Sequence, residues 1–135
     1  METATLEAQV VTGTVLVVDD EPRFGEFVGK VAVDAGFEVE VTTNGHDFQA
    51  RYPVFQPTAV VVDLIMPEIE GIELVQWVAE RDTPAHLIVV TGYSPEYASL
   101  AKMLGEAKGL PSVTTLIKPV RVSVLRGALA DISKA

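Results

Sequence analysis

At 135 residues the chain is sized for one domain and is long enough to bury a sizeable hydrophobic core. Its formal charge of -9, with ten scattered basic residues against nineteen acidic ones, argues against direct binding to nucleic acid. The absence of cysteine excludes a disulfide framework, a thiolate zinc site and a thiol nucleophile, and no apolar run approaches the ~20 residues that span a bilayer.

Residues 1–13 carry no clear pattern and are expected to form a flexible lead-in, without the basic start and apolar centre of a signal peptide. From Thr14 to residue 133 the chain alternates strand and helix five times, the signature of a parallel sheet with crossover helices. The first strand is Thr14-Val15-Leu16-Val17-Val18, closed by Asp19-Asp20. Glu21-Pro22 then opens a helix, with proline suited to the first turn. Phe24, Phe27, Val28, Val31, Ala32 and Ala35 line its sheet-facing stripe, and Gly36 caps it.

Phe37 to Thr43 reads as a second strand nearer the edge, and Asn44-Gly45 punctuates. A weaker helix follows, with Phe48 and Tyr52 as contacts, and it is expected to stop before Pro53. Residues 59–65 form the third strand, with Asp63 near its end, and residues 71–81 form a helix through Ile72, Val75, Val78 and Ala79. His86 to Val90 is the fourth strand, closed by Thr91. The helix begun by Pro95 is expected to bury Tyr97, Leu100, Ala101 and Leu104. Val113 to Ile117 is the fifth strand, followed by Lys118-Pro119 and a last helix carrying Leu125, Ala128, Leu129 and Ile132.

In an open parallel sheet the C-terminal strand ends share one crevice, so Asp19, Asp20, Asp63, Thr91 and Lys118 should converge. Three carboxylates within ~4 Å of one another repel by roughly 4 kcal/mol per pair at an effective dielectric near 20. A cation among them would relieve this, and oxygen-only donors in an open site favour Mg²⁺ over a caged Ca²⁺. The alternative is that Asp19 and Asp20 merely cap the following helix. Lys118 at a buried strand end needs an anion, and a cis bond to Pro119 would aim it inward. The alternative there is a lysine snorkelling to solvent. Thr91, before Gly92, offers a hydroxyl on an open loop, with Tyr93 at the rim. His46 and His86 read as surface or structural residues, and Trp77 as a packing residue.

These residues resemble the receiver domains of bacterial two-component response regulators. The matching segments are Val17-Val18-Asp19-Asp20-Glu21-Pro22, then Val62-Asp63-Leu64-Ile65-Met66-Pro67 with Gly71, then Val89-Val90-Thr91-Gly92, and finally Lys118-Pro119. The resemblance covers residues 14–133 and implies a flavodoxin-like doubly wound (βα)5 sandwich around a five-stranded parallel sheet. It implies that Asp63 is the phosphoacceptor. Asp19, Asp20 and the backbone carbonyl of Ile65 would join Asp63 in holding Mg²⁺, with Asp20 the more direct ligand. Thr91 and Lys118 would serve as switch hydroxyl and phosphate-binding lysine. The implied partners are a sensor histidine kinase or phosphotransfer protein and a downstream effector, in the cytoplasm. Such a domain catalyses only its own phosphorylation and dephosphorylation.

Two departures from that family pattern stand out. Thr115 occupies the place where an aromatic usually precedes the lysine by three residues, and Leu100 to Pro111 is longer than usual, on the face used for output. Three competing readings remain. A haloacid-dehalogenase-like phosphohydrolase would want Asp-x-Asp and a cap insertion, and a flavodoxin-like nucleotide binder would be repelled by Asp19-Asp20-Glu21. A receiver-like interaction module that is never phosphorylated is the third.

Overall fold

Three apolar runs with no polar side leave water no face to occupy, and they form the middle of the sheet. The computed structural model describes residues 12–66, 71–82, 84–92 and 95–133. Within them five strands form one parallel sheet in the order β2-β1-β3-β4-β5: β1 (Gly13–Val18), β2 (Phe37–Thr42), β3 (Ala59–Asp63), β4 (His86–Thr91) and β5 (Val113–Ile117). Every residue of β3 is buried, whereas edge strands β2 and β5 mix buried with exposed positions. Five helices alternate with the strands: α1 (Pro22–Asp34), α2 (Gly45–Phe55), α3 (Gly71–Ala79), α4 (Pro95–Ala107) and α5 (Val122–Ser133).

The period-two alternation of strand side chains divides the core into two layers. Leu16, Val18, Val60, Val62, Leu87 and Val89 pack with Phe48, Leu74, Val75, Val78 and Ala101 of α2, α3 and α4. On the opposite face Val15, Val17, Val61, Ile88 and Val90 meet Val28, Val31 and Ala32 of α1 and Leu125 and Leu129 of α5. The expected doubly wound α/β sandwich is thus the observed one. Because β2 lies outside β1 while β3 lies on its other flank, the chain reverses direction across the sheet between them. That switch point opens a crevice beyond the C-terminal ends of β1 and β3.

Several boundaries differ from the sequence reading. β1 begins at Gly13, so residues 1–12 of the expected lead-in are left, of which 1–11 lie outside the described residues, as do Pro67 and Tyr93. β3 stops at Asp63, and residues 64–65 belong to the loop beyond it. The helix expected to end before Pro53 continues to Phe55, with Pro53 inside its last turn and the Gln56 N–H closing the end on the Tyr52 carbonyl at 2.8 Å. α3 ends at Ala79 instead of residue 81. In α4 the buried face is Ala98, Ala101 and Gly105, while Leu100 is 50% exposed. Among the described residues no helix is long and apolar enough to cross a membrane.

Candidate functional site

Asp19 leaves the end of β1 tied by its backbone N–H to the Thr42 carbonyl of β2 (3.2 Å), which fixes where its side chain starts. That side chain is 1% exposed. One carboxylate oxygen accepts the Glu21 N–H at 2.8 Å, and the other accepts the Lys118 ammonium at 2.9 Å. Asp63, at the end of β3, is also buried; its Oδ1 accepts the Ile65 N–H at 3.2 Å and its Oδ2 stands 4.0 Å from Lys118 Nζ. Asp20 is exposed, and one oxygen from each of Asp19, Asp20 and Asp63 falls within 4.8 Å of the others.

Lys118 is delivered by the end of β5, where its N–H donates to the Thr91 carbonyl (2.8 Å), and its bond to Pro119 is cis. Besides Asp19 it faces Glu21 at 3.5 Å, and its side chain is 21% exposed, so it is held inward and does not snorkel. Thr91 is fully buried, and its hydroxyl has no hydrogen-bond partner among the described residues. Its neighbour Gly92 lines an open cleft of about 330 Å³ together with Asp20, Glu21, Asp63, Ile65 and Lys118. The floor of this cleft leans on α3: a Cβ on Gly71 would lie 2.4 Å from Leu64 Cα and 2.5 Å from the Asp63 carbonyl oxygen.

The electrostatics record crowding of negative charge. Burial and the nearby Asp19 charge push Asp63 up to about 7, with Asp20 adding to the rise; the Ile65 N–H and Lys118 oppose it only in part. Burial also raises Asp19, against its hydrogen bonds from Lys118 and the Glu21 N–H. Burial works to lower Lys118, but the Asp19 hydrogen bond and the charges of Asp19, Asp63 and Glu21 outweigh it, and the pKa rises. A carboxylate driven toward protonation beside two others is a set of hard oxygen donors with room for one more cation. The residues present fit Mg²⁺.

Capping alone does not account for the contacts of Asp19, which takes the Glu21 N–H on one oxygen and the Lys118 ammonium on the other. Glu21, and neither aspartate, is the N-cap residue of α1, and its own side chain makes no capping hydrogen bond. The structure therefore gathers Asp19, Asp20, Asp63, Ile65 and Lys118 around one cleft, with Thr91 buried behind it. His86 is instead engaged with the Ser112 hydroxyl at 2.8 Å, and His46 sits exposed on α2. Trp77 packs edge-on against Tyr52 at 5.2 Å, with the Arg81 guanidinium 4.0 Å over its ring. Sequence reasoning passed over two residues. Glu21 reads as a helix opener and part of an acidic run, and Phe24 only as part of an apolar stripe, yet both lie against Lys118, with the Phe24 ring centroid 4.5 Å from Nζ.

A doubly wound sheet carrying an acidic triad and a lysine at its switch point defines a receiver-type signalling domain. The chain belongs to the response regulator receiver domain family, whose model matches residues 15–130. It is 28% identical over 121 residues to the chemotaxis protein CheY of Thermotoga maritima, covering 89% of this chain and 97% of that one. It is 31% identical over 126 residues to the positive alginate biosynthesis regulatory protein of Pseudomonas aeruginosa, covering 89% of this chain but 47% of that protein. Among solved structures, the chemotaxis response regulator CheY4 of Vibrio cholerae superimposes with a TM-score of 0.73 at 28% identity, over 88% of this chain and 97% of that one. The match therefore spans nearly all of some relatives and less than half of others. Receiver domains are signalling domains of two-component systems that work with histidine kinases or phosphotransfer proteins and with output domains.

Proposed function

We propose that residues 14–133 form a phosphoacceptor switch in which Asp63 takes a phosphoryl group from a phosphohistidine of a sensor histidine kinase or phosphotransfer protein. The observation that carries this reading is the placement of buried Asp63 between an acidic pair and Lys118, with 4.0 Å separating its Oδ2 from the ammonium. A carboxylate there has both access from the cleft and cations to balance the charge that arrives with phosphate.

The transfer breaks the histidine N–P bond as an Asp63 carboxylate oxygen forms a P–O bond in line with it. Asp19, Asp20, Asp63 and the Ile65 carbonyl would hold Mg²⁺, which when bound supplies positive charge to the phosphoryl oxygens. Lys118 turns from Asp19 toward the new phosphate and donates to one of its oxygens. The Thr91 hydroxyl, which has no hydrogen-bond partner among the described residues, donates to another. That bond draws the Gly92 loop inward and favours a second arrangement of residues 91–111.

Output through this segment is supported by the 50% exposed Leu100 and the 67% exposed Met103 of α4, which leave an apolar surface for a downstream effector. Thr115, half-buried on β5, lacks the ring that would otherwise sweep between inner and outer positions. A cytoplasmic setting suits a chain without cysteine.

Acetyl phosphate with Mg²⁺ tests the reading by intact mass. The wild type should gain one phosphoryl group and Asp63→Asn none. Equal labelling of both proteins would reject Asp63, and no labelling of the wild type would favour the interaction module that is never phosphorylated.

A further inference from the structure

We infer that Phe24 is a positioning residue for Lys118, holding the ammonium beside the carboxylates through the face of its ring. The inference rests on the phosphoacceptor reading for its kinetic consequence, but its geometric content stands without it.

Lys118 Nζ lies over the face of the Phe24 ring, 4.5 Å from its centroid. Among the described residues its ion-pair partners are three carboxylates: Asp19 at 2.9 Å, Glu21 at 3.5 Å and Asp63 at 4.0 Å. The ring is fixed independently of the lysine. Phe24 sits in the first turn of α1, its N–H donating to the Glu21 carbonyl at 3.0 Å, and its ring is braced by Phe27 with centroids 5.8 Å apart. Both rings, with Pro119 and Val120, also wall a groove of about 470 Å³ that reaches Lys118.

The chemistry of a ring differs from that of a fourth carboxylate. An aromatic face attracts a cation through its quadrupole but accepts no strong hydrogen bond. Phe24 therefore steadies the charge without claiming a proton that Lys118 needs for an incoming anion. A carboxylate in the same place would compete with that anion, and an aliphatic side chain would leave the charge to drift toward solvent. The ring thus favours the inward position while leaving the lysine free to change partner from Asp19 to phosphate.

The test uses the whole chain with Phe24→Leu and Phe24→Tyr, the second keeping the ring. In the unphosphorylated protein labelled with ¹³C at lysine Cε, the Lys118 methylene should show an upfield ring-current shift. Phe24→Leu should abolish that shift and Phe24→Tyr should keep it. Phosphorylation by acetyl phosphate with Mg²⁺ should slow about three- to tenfold in Phe24→Leu and stay near wild type in Phe24→Tyr. In a Lys118→Ala background, Phe24→Leu should have no further effect, because the ring then has no cation to hold. An unshifted Lys118 signal in the wild type, or the same slowing in both backgrounds, would overturn the inference. If the wild type takes no phosphoryl group, the phosphoacceptor reading fails, and the lysine spectra alone then decide where Phe24 holds the cation.

Discussion

Lys118 rests on Asp19: its ammonium donates to Asp19 Oδ2 across 2.9 Å, while the nearest Asp63 oxygen is 4.0 Å away. The lysine is thus stored about one hydrogen bond from the carboxylate it would serve. In the resting protein it neutralises a carboxylate that is 1% exposed, so it supports the fold as well as any later chemistry.

Lys118→Ala should therefore destabilise the resting protein, because Asp19 keeps its burial and loses its cation. The expected cost in chelator is ~2 kcal/mol, limited by partial protonation of Asp19. Adding Mg²⁺ should recover a part of it by supplying charge from the other side. Urea denaturation with and without Mg²⁺ checks this, and an unchanged midpoint in chelator would contradict it.

Stability in chelator should fall as pH rises from about 4 toward 7. Asp63 titrates near 3.8 when unfolded but is pushed up to about 7 in the fold, so between those values the folded state holds the extra proton. Raising the pH through this window favours the unfolded state, and above it the loss is complete. Asp19 is shifted in the same direction and adds to the slope. Lys118, raised from an already alkaline value, contributes stability that is lost only above that window. The total loss should be on the order of 2–4 kcal/mol. Asp63→Asn should be the more stable protein at pH 8 and should flatten much of the dependence. Denaturation midpoints that rise between pH 4 and 7 would reverse the sign argued here.

Thr91→Val should stabilise the resting state by ~1 kcal/mol, because it replaces a buried hydroxyl that has no hydrogen-bond partner among the described residues. The same variant should lose the response to a beryllofluoride phosphate mimic. In the wild type the mimic should alter deuterium uptake in residues 91–111. A Thr91→Val protein that still shows those changes would remove the hydroxyl from the switch.

Gly71→Ala should destabilise by ~1–3 kcal/mol, since the new Cβ meets the backbone of Asp63 and Leu64 and no flexible side chain that might move aside. Displacing α3 also displaces the Asp63 carbonyl, so phosphorylation should slow by more than the fraction unfolded explains. Thermal melts and labelling rates measured together would separate the two effects.

The sheet was legible because three of its strands are apolar throughout and each ends in a chemically distinctive residue. In α4 the expected face is right at Ala101, Tyr97 and Leu104 and wrong at Leu100, for a physical reason. Tyr97 and Leu104 pack half-buried against the core, but the fully buried positions are Ala98, Ala101 and Gly105, where a Cβ on Gly105 would come within 2.9 Å of Leu110 and Val113. Small residues let the helix lie close to β5, and the large ones are left to its flank and outer side. α2 runs past Pro53 because only Val54 and Phe55 follow it: the proline forgoes its own N–H bond, but little helix remains to be thrown out of line.

At the site, residue types and strand ends located the carboxylates, the lysine and the hydroxyl. Their pairing was not legible. That Lys118 would choose Asp19 over Asp63, and that Phe24 would lie against it, depends on the relative placement of β1, β5 and the first turn of α1 in space. A motif one residue wide carries no such distance.

The sole tryptophan supplies an optical label with a definite address. Trp77 lies ~9 Å along the α3 axis from Gly71, wedged against Tyr52 and Phe48 below Arg81. Its emission is set by that aromatic nest at the far end of α3, so the intensity and wavelength should track release of α3 from the sheet. Cation titrations followed by this indole would look silent even while the acidic crevice fills. A second indole placed at the cleft, for instance by Ile65→Trp at its exposed rim, would give the crevice a colour of its own.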